Sequence, residues 1–236
     1  MGLLSRTVGK TRIKFCGFTR SQDVDAAVSL GVDALGFVFY ASSPRYVSPE
    51  VAATLISRMP GGMDAVALVV NPTDEEVAKI KDRVPLTVWQ FHGDESPQRC
   101  QEIAQGMPWM KAARISKDFD LTDFSLQYEN ADGLLLDAFV EGYGGGGHVF
   151  DWSLIPQVWA KENAHRVVLS GGLNTHNVGE GITRLKPCAV DVSSGIEIAK
   201  GQKSPELMRA FVDAVRAARY HHHLATKRLD ETLSCV

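Results

Sequence analysis

Cysteine is scarce in this sequence, and its arrangement suits neither a disulfide framework nor a metal site. Four cysteines occur in 236 residues, and no two of them form a CxxC pair. This usage is typical of a reducing compartment and predicts a cytoplasmic protein. There is also no HExxH, no Walker loop, and no GxGxxG after the first predicted strand. We therefore expect no metal and no cofactor.

The sequence also lacks a basic excess and a long apolar run. Lys and Arg total 25 against 28 Asp and Glu, for a net charge of −3. Nucleic acid and membrane surfaces are therefore not favoured as partners. No apolar run approaches the roughly 20 residues that span a bilayer. The opening "MGLLSRTVGK" has no apolar core of a secretory signal, so we expect none.

What the sequence does contain is an alternation of short apolar runs and amphipathic runs. Several of the short runs are almost continuously apolar, which is typical of parallel strands buried on both faces. The predicted strands are "RIKF" (12–15), "ALGFVF" (34–39), "AVALVV" (65–70), "LTVWQF" (86–91), "WMKAAR" (109–114), "GLLLD" (133–137), "RVVLS" (166–170) and "AVDVS" (189–193).

Helix-start signals separate these strands. Capping boxes are predicted at Thr19 and Thr73, and a Ser-Pro pair begins at each of Ser48, Ser96 and Ser204. Eight strands alternating with helices predict a single (β/α)8 barrel, with an open doubly wound sheet as the alternative. We expect an N-terminal extension over 1–11, the barrel over 12–218 and a C-terminal tail over 219–236. A single-domain monomer is expected, with a dimer possible.

In such a barrel, functional side chains gather where the strands end, in the loops that lead into the helices. Reactive or polar residues at these ends are Cys16, Asn71, His92, Arg114 and Asp137. Gly171 and Gly172 follow the seventh strand, and Ser193, Ser194 and Gly195 follow the eighth. Glycine-containing turns before helix N-termini can present N–H groups to an anion. We interpret these two turns as a phosphate site, although "SGG" alone also suits a plain tight turn.

Asp137 and Cys16 are candidates for proton transfer. Asp137 ends "GLLLD", and the residues after it do not begin a helix, so a capping role is disfavoured. A carboxyl group in a partly desolvated site can serve as a general acid. Cys16 ends the first strand and could serve as a base if a neighbour stabilises its thiolate. A buried, unreactive thiol is the alternative.

Two further residues are candidates for contacts with a substrate. Arg45 follows Ser-Pro in the loop after the second strand, where it could clamp a carboxylate with two hydrogen bonds, although exposed arginines are usually only solvated. His92, at the end of the fourth strand, is either a structural group or a substrate contact. Arg114, at the end of the fifth strand, is likewise either a structural group or a substrate contact.

Seven segments together resemble one enzyme family. They are "KFCG" (14–17), "DALGFVFYASSPRYV" (33–47), "QFHGDE" (90–95), "LLLDAF" (134–139), "GGGGHVFDW" (144–152), "LSGGLN" (169–174) and "VDVSSGIE" (190–197). In order, they are similar to the motifs of phosphoribosylanthranilate isomerases, over about residues 12–217.

This resemblance implies an Amadori rearrangement of N-(5′-phosphoribosyl)anthranilate in tryptophan biosynthesis, without a cofactor. It implies that Cys16 is the general base and Asp137 the general acid, and that Arg45 holds the anthranilate carboxylate. The glycine turns would hold the phosphate. The sequence departs from the family at Gly144–Gly147, where Gly-Gly-Thr-Gly is frequent, so Gly146 replaces a threonine.

Two other classes of function remain as alternatives. Another sugar-phosphate barrel enzyme, an epimerase or an indoleglycerol-phosphate synthase, would need metal ligands, paired acidic bases or a lysine pair at the strand ends, and none is evident. A barrel that only binds a phosphorylated ligand would not need both an acid and a base.

Overall fold

The computed structural model describes residues 2–4, 10–138 and 151–218. Eight parallel strands hydrogen-bond in sequence order, and the first pairs with the last. They are β1 Arg12–Cys16, β2 Ala34–Val38, β3 Asp64–Val69, β4 Val88–Phe91, β5 Trp109–Ile115, β6 Gly133–Ala138, β7 Val167–Leu169 and β8 Ala189–Val192. The closed barrel confirms the predicted fold and excludes the open sheet.

Helices surround the barrel. They are α1 Ser21–Leu30, α2 Pro49–Ile56, α3 Asp74–Arg83, α4 Pro97–Ala104, α5 Leu121–Gln127, α6 Gln157–Asn163, α7 Val178–Leu185 and α8, residues 205–218. Short 3-10 turns lie at Trp152–Leu154 and Ser194–Ile196. A small antiparallel hairpin, β9 Glu197–Ala199 and β10 Gln202–Lys203, precedes α8. No helix within these described ranges is long and apolar enough to cross a membrane.

Four of the five predicted helix starts are confirmed. At α3, Thr73 Oγ1 accepts from Glu76 N at 3.3 Å, and Thr73 N donates to the Glu76 carboxylate at 2.8 Å. This is the reciprocal capping box that the sequence predicts. Ser48, Ser96 and Ser204 likewise accept bonds from backbone N–H groups of their own helices.

The predicted capping box at Thr19 is wrong. The N-cap of α1 is Arg20, whose side chain makes no capping hydrogen bond. Thr19 Oγ1 instead donates to the carbonyl of Gly201 at 2.6 Å. The Thr19 hydroxyl group therefore bonds to the turn between β9 and β10 instead of capping α1 as the local sequence predicts.

The interior of the barrel has an apolar lower layer and a polar upper layer. The lower layer is a cluster of buried residues that includes Ala34, Val66, Met110, Leu135 and Val168, and Leu3 closes it from below. Leu3 is fully buried, and its N–H donates to the Asp64 carboxylate. Leu3, in the N-terminal extension to which the sequence assigned no function, thus plugs the end of the barrel opposite the carboxyl ends of the strands.

The predicted C-terminal tail (219–236) and the Gly144–Gly147 segment lie outside the described residues. Within the described residues, β1 begins at Arg12 and α8 extends to residue 218.

Candidate active site

A cavity opens at the carboxyl ends of the strands. Eight of the nine predicted site residues line it: Cys16, Arg45, His92, Asp137, Gly171, Gly172, Ser193 and Ser194. Gly195 is not among the residues that line it, and a Cβ added at Gly195 would overlap the Leu173 carbonyl. Arg114 does not line the cavity, and its Nη2 donates to Asp94 Oδ1 at 2.7 Å. The barrel thus brings together residues from strands that are distant in sequence.

Cys16 lies at the end of β1 with its side chain directed into the barrel. It is 5% exposed, and Gly17 comes next with φ of 85°, a left-handed conformation that favours glycine. The carbonyl of Cys16 accepts from Lys203 Nζ at 2.6 Å and from Ser193 Oγ at 3.0 Å. These bonds hold the end of β1 against the loop after β8.

The environment of the Cys16 thiol contains opposed influences. Burial raises the pKa of the thiol above its ordinary value, and the carboxylate of Asp191 acts in the same direction. The charge of Lys14 lowers the pKa most among the opposing groups, and Lys203 lowers it further. The net direction is upward, so the thiolate form depends on the nearby cations.

Asp137 ends the inward face of β6 and is held from two sides. Its Oδ1 accepts from the backbone N–H of Ala138 at 2.8 Å, and its Oδ2 lies 3.1 Å from His92 Nε2. Gln90 Nε2 lies 3.1 Å from the other ring nitrogen of His92. With the Gln90 amide donating to Nδ1, His92 carries its proton on Nε2 and donates it to Asp137. The chain Gln90–His92–Asp137 fixes the orientation of the carboxyl group.

Arg45 is more constrained than an exposed loop arginine. Its Nε and Nη2 donate to the two carboxylate oxygens of Glu197 at 2.8 and 2.7 Å, and the residue is 8% exposed. The hydrogen bond to Glu197 raises the pKa of Arg45, which therefore stays charged. Lys203 Nζ reaches the same Glu197 carboxylate at 2.8 Å. This buried network places the guanidinium at the cavity wall.

The two glycine turns lead into different elements. Gly171 and Gly172 both have positive φ, 76° and 65°, so this turn requires residues without a Cβ. Helix α7 begins soon after it, at Val178. The turn after β8 instead enters a single 3-10 turn and the β9–β10 hairpin, and α8 begins only at residue 205. The 3-10 turn and the hairpin thus separate this second turn from the N-terminus of α8, which begins where the Ser204-Pro205 pair predicts it.

Sequence reasoning missed several polar residues beneath the cavity mouth. Lys14, Gln90 and Asp191 are all buried inside strands, and Lys14 Nζ pairs with Asp191 Oδ1 at 2.8 Å. Each stands two positions before a residue at the cavity mouth: Cys16, His92 and Ser193. Because strand side chains alternate between faces, each pair shares the barrel interior. A polar residue at that spacing within an apolar strand was the available signal.

Comparison with known proteins gives a consistent family. A family model described as N-(5′-phosphoribosyl)anthranilate (PRA) isomerase matches residues 13–214. An N-(5′-phosphoribosyl)anthranilate isomerase from Ralstonia nicotianae is 54% identical over 216 residues, covering 89% of this chain and 94% of the relative.

Two solved structures are similar in fold and in sequence. One is a phosphoribosyl anthranilate isomerase in complex with reduced 1-(o-carboxyphenylamino)-1-deoxyribulose 5-phosphate, with a TM-score of 0.76 and 33% identity. Another is described as monomers of the dimeric enzyme from Thermotoga maritima, with a TM-score of 0.75 and 34% identity. Each match covers 88% of this chain and 100% of the solved one.

Proposed function

Because this chain belongs to the N-(5′-phosphoribosyl)anthranilate isomerase family, we propose that Cys16 and Asp137 carry the acid–base chemistry of its reaction. The enzyme is an isomerase of tryptophan biosynthesis. It converts N-(5′-phosphoribosyl)anthranilate, an aldose derivative, to the ketose derivative 1-(o-carboxyphenylamino)-1-deoxyribulose 5-phosphate. The observation that supports the assignment of roles is the placement of a carboxyl group and a thiol in one cavity, on strands β6 and β1.

The first step opens the ribose ring. Asp137 donates a proton to the ring oxygen, the C1′–O bond breaks, and the lone pair of the anthranilate nitrogen forms the C1′=N bond of a protonated Schiff base. His92 holds one oxygen of Asp137, so the carboxyl group is already oriented when the substrate binds. A positioned acid of this kind contributes roughly 10²–10⁴-fold to the rate.

The second step removes the proton on C2′. The Cys16 thiolate takes this proton and becomes a thiol, the C2′ electron pair forms the C1′=C2′ bond, and the nitrogen recovers its lone pair. The enolamine then loses the proton of its C2′ hydroxyl group and gains one at C1′, which yields the ketone. The proton held by Cys16 and the one lost by the hydroxyl group balance the one taken up at C1′ and the one returned to Asp137, so the acid and the base regain their starting forms. The substrate's own imine accepts the electrons, so the proposed route needs no cofactor or metal.

The rest of the cavity would hold the two ends of the substrate. The turns at Gly171–Gly172 and Ser193–Gly195 are the proposed phosphate site, and Gly171, Gly172, Ser193 and Ser194 of these turns line the cavity. Arg45 uses Nε and Nη2 on Glu197, so Nη1 is the group proposed to meet the anthranilate carboxylate. His92 lines the cavity, where it can contact the substrate as well as Asp137.

The experiment is a turnover assay with matched variants. Loss of anthranilate-type fluorescence reports conversion of N-(5′-phosphoribosyl)anthranilate by the purified protein. Cys16→Ala and Asp137→Asn should each reduce kcat by at least about 10²-fold with the fold intact. Cys188→Ala and the exposed Asp118→Asn serve as controls and should leave kcat unchanged. Near-normal turnover in either site variant would remove that residue from the mechanism.

We also propose that the enzyme works in the cytoplasm as a monomer that takes a small phosphorylated substrate and no nucleic acid. The Thermotoga maritima relative is described as dimeric, so a dimer is the competing state. Light scattering coupled to gel filtration should give a mass near the 25.8 kDa of one chain. A mass of about twice this value would establish the dimer.

A further inference from the structure

A buried ion pair lies directly beneath the proposed base. Lys14 is fully buried and Asp191 is 5% exposed, and their Nζ and Oδ1 atoms are 2.8 Å apart. The two residues are register partners on the adjacent strands β1 and β8. Lys14 does not line the cavity, whereas Asp191 and Cys16 do. A fully buried ammonium group is costly, and its single carboxylate partner does not by itself explain why the fold retains it.

The geometry gives Lys14 a second neighbour, the Cys16 thiol. Lys14 and Cys16 are two residues apart on β1, so their side chains share the interior face. Gly36 is the register partner of Cys16 on β2. A Cβ added at Gly36 would lie 2.7 Å from Cys16 Sγ and 3.1 Å from Lys14 Nζ. The thiol and the ammonium group therefore approach each other in the space that glycine leaves open.

The other charged groups around Cys16 are committed elsewhere. Lys203 binds the Cys16 carbonyl, the Ser193 carbonyl and the Glu197 carboxylate. Arg45 forms its two-bond pair with Glu197. His92 and Asp137 bond to each other in the wall of the same cavity. The Asp191 carboxylate is negatively charged, so it disfavours a thiolate at Cys16.

We propose that Lys14 is a positioning residue that supplies the counter-charge of the Cys16 thiolate, with Asp191 anchoring the ammonium group beneath the sulfur. Lys14 remains protonated throughout, and Cys16 alone exchanges a proton with the substrate. The importance of this proposal for catalysis rests on the proposed role of Cys16 as the base. The effect of Lys14 on the Cys16 thiolate is a property of the free enzyme and can be measured without turnover.

The electrostatics of the site agree with this arrangement. Burial raises the pKa of the Cys16 thiol, and Lys14 is the strongest influence in the opposite direction. Burial lowers the pKa of Lys14, but Asp191 and Cys16 outweigh it and raise the pKa overall. Removing the Lys14 charge should therefore destabilise the thiolate, whereas removing the Asp191 charge should stabilise it.

The test is the pH dependence of Cys16 alkylation by iodoacetamide in the substrate-free enzyme, measured by peptide mass spectrometry. Lys14→Met alone leaves Asp191 buried without its partner and can fail to fold. The informative pair is therefore Asp191→Asn and Lys14→Met/Asp191→Asn, which differ only at residue 14. Alkylation of Cys188 in the same samples reports general changes in exposure.

Asp191→Asn should alkylate at Cys16 faster than wild type at a given pH. The double variant should be at least about tenfold slower than Asp191→Asn, which corresponds to one pH unit in the midpoint. If Lys14 had a purely structural role, the rate of Cys16 alkylation would change in the same direction in both variants, and the rate of Cys188 alkylation would change as well.

Equal alkylation profiles for the two variants, to within about twofold, would overturn the proposal, whatever the turnover assay shows. Conversely, normal turnover by Cys16→Ala would refute the proposed mechanism without affecting the conclusion that Lys14 stabilises the Cys16 thiolate. The two failures are thus distinguishable.

Discussion

Lys203 offers the most direct test of how the site is held together. It is 1% exposed, and its Nζ lies 2.6 Å from the Cys16 carbonyl, 3.1 Å from the Ser193 carbonyl and 2.8 Å from Glu197 Oε1. Lys203→Met keeps roughly the length of the side chain but removes the charge and every hydrogen bond that Nζ donates. The carbonyls of Cys16 and Ser193 lose a donor, and among the described residues the Glu197 carboxylate retains Arg45 alone as its cation.

The expected cost comes from the burial of these groups. Removing one partner of a buried ion pair costs about 3–5 kcal/mol, because the remaining charge stays desolvated. Native domains are stable by about 5–15 kcal/mol, so this loss is a large fraction of the total. Because Lys203 also holds the end of β1, the variant should lose turnover even where it remains folded.

Urea unfolding monitored by tryptophan fluorescence measures the effect. The midpoint should fall with an unchanged slope, as expected for a change in stability alone. Lys200→Met is the matched control, since Lys200 is exposed in the turn of the same hairpin, and its effect should stay within about 0.5 kcal/mol. A loss below about 1 kcal/mol in Lys203→Met would refute the reasoning that these bonds hold the strand ends together.

Three further predictions concern stability. Leu3→Ala should lower the free energy of unfolding by about 2–5 kcal/mol in the same urea assay, because Leu3 is fully buried and plugs the barrel. The control Leu126→Ala, at a residue that is 67% exposed, should have little effect. Equal effects of the two variants would contradict the role of Leu3 as a plug. Thr73→Ala should cost about 1 kcal/mol through loss of the α3 capping box, and no loss relative to the mid-helix variant Thr54→Ala would contradict that cap. Burial raises the pKa of Glu197, but Arg45 and Lys203 outweigh it and lower the pKa overall. The ionised carboxylate therefore stabilises the fold at pH values above the pKa of Glu197 in the unfolded chain. This stabilisation is lost as the pH falls through the lower pKa of the folded protein. Glu197→Gln should therefore be less stable than wild type at pH 7 but lose less stability between about pH 6 and pH 3, as thermal unfolding would show; parallel pH profiles would contradict this role.

Much of the fold could be predicted from local pattern. All eight predicted strands exist, because buried parallel strands have almost continuously apolar sequences. Ser-Pro or Thr-x-x-Glu signals begin four of the helices, α2, α3, α4 and α8. Thr19 shows where local reasoning stops. Its hydroxyl group bonds to Gly201, and no pattern within α1 indicates that competition.

The candidate site divides in the same way. Because strand ends in a closed barrel converge, the sequence alone could place Cys16, His92 and Asp137 together at one mouth. It could not indicate that Arg45 pairs with Glu197, 152 positions away, since such contacts depend on how loops fold over the barrel.

The sequence by itself determined the barrel, the family and the residues at its mouth, because periodicity and strand-end positions are local properties of the chain. Only the tertiary structure decided which charges neutralise one another. The Lys14–Asp191 pair joins β1 to β8 across the closure of the barrel, and the Leu3 plug seals the opposite end. Both depend on the chain returning to its own start, which no local stretch of sequence specifies.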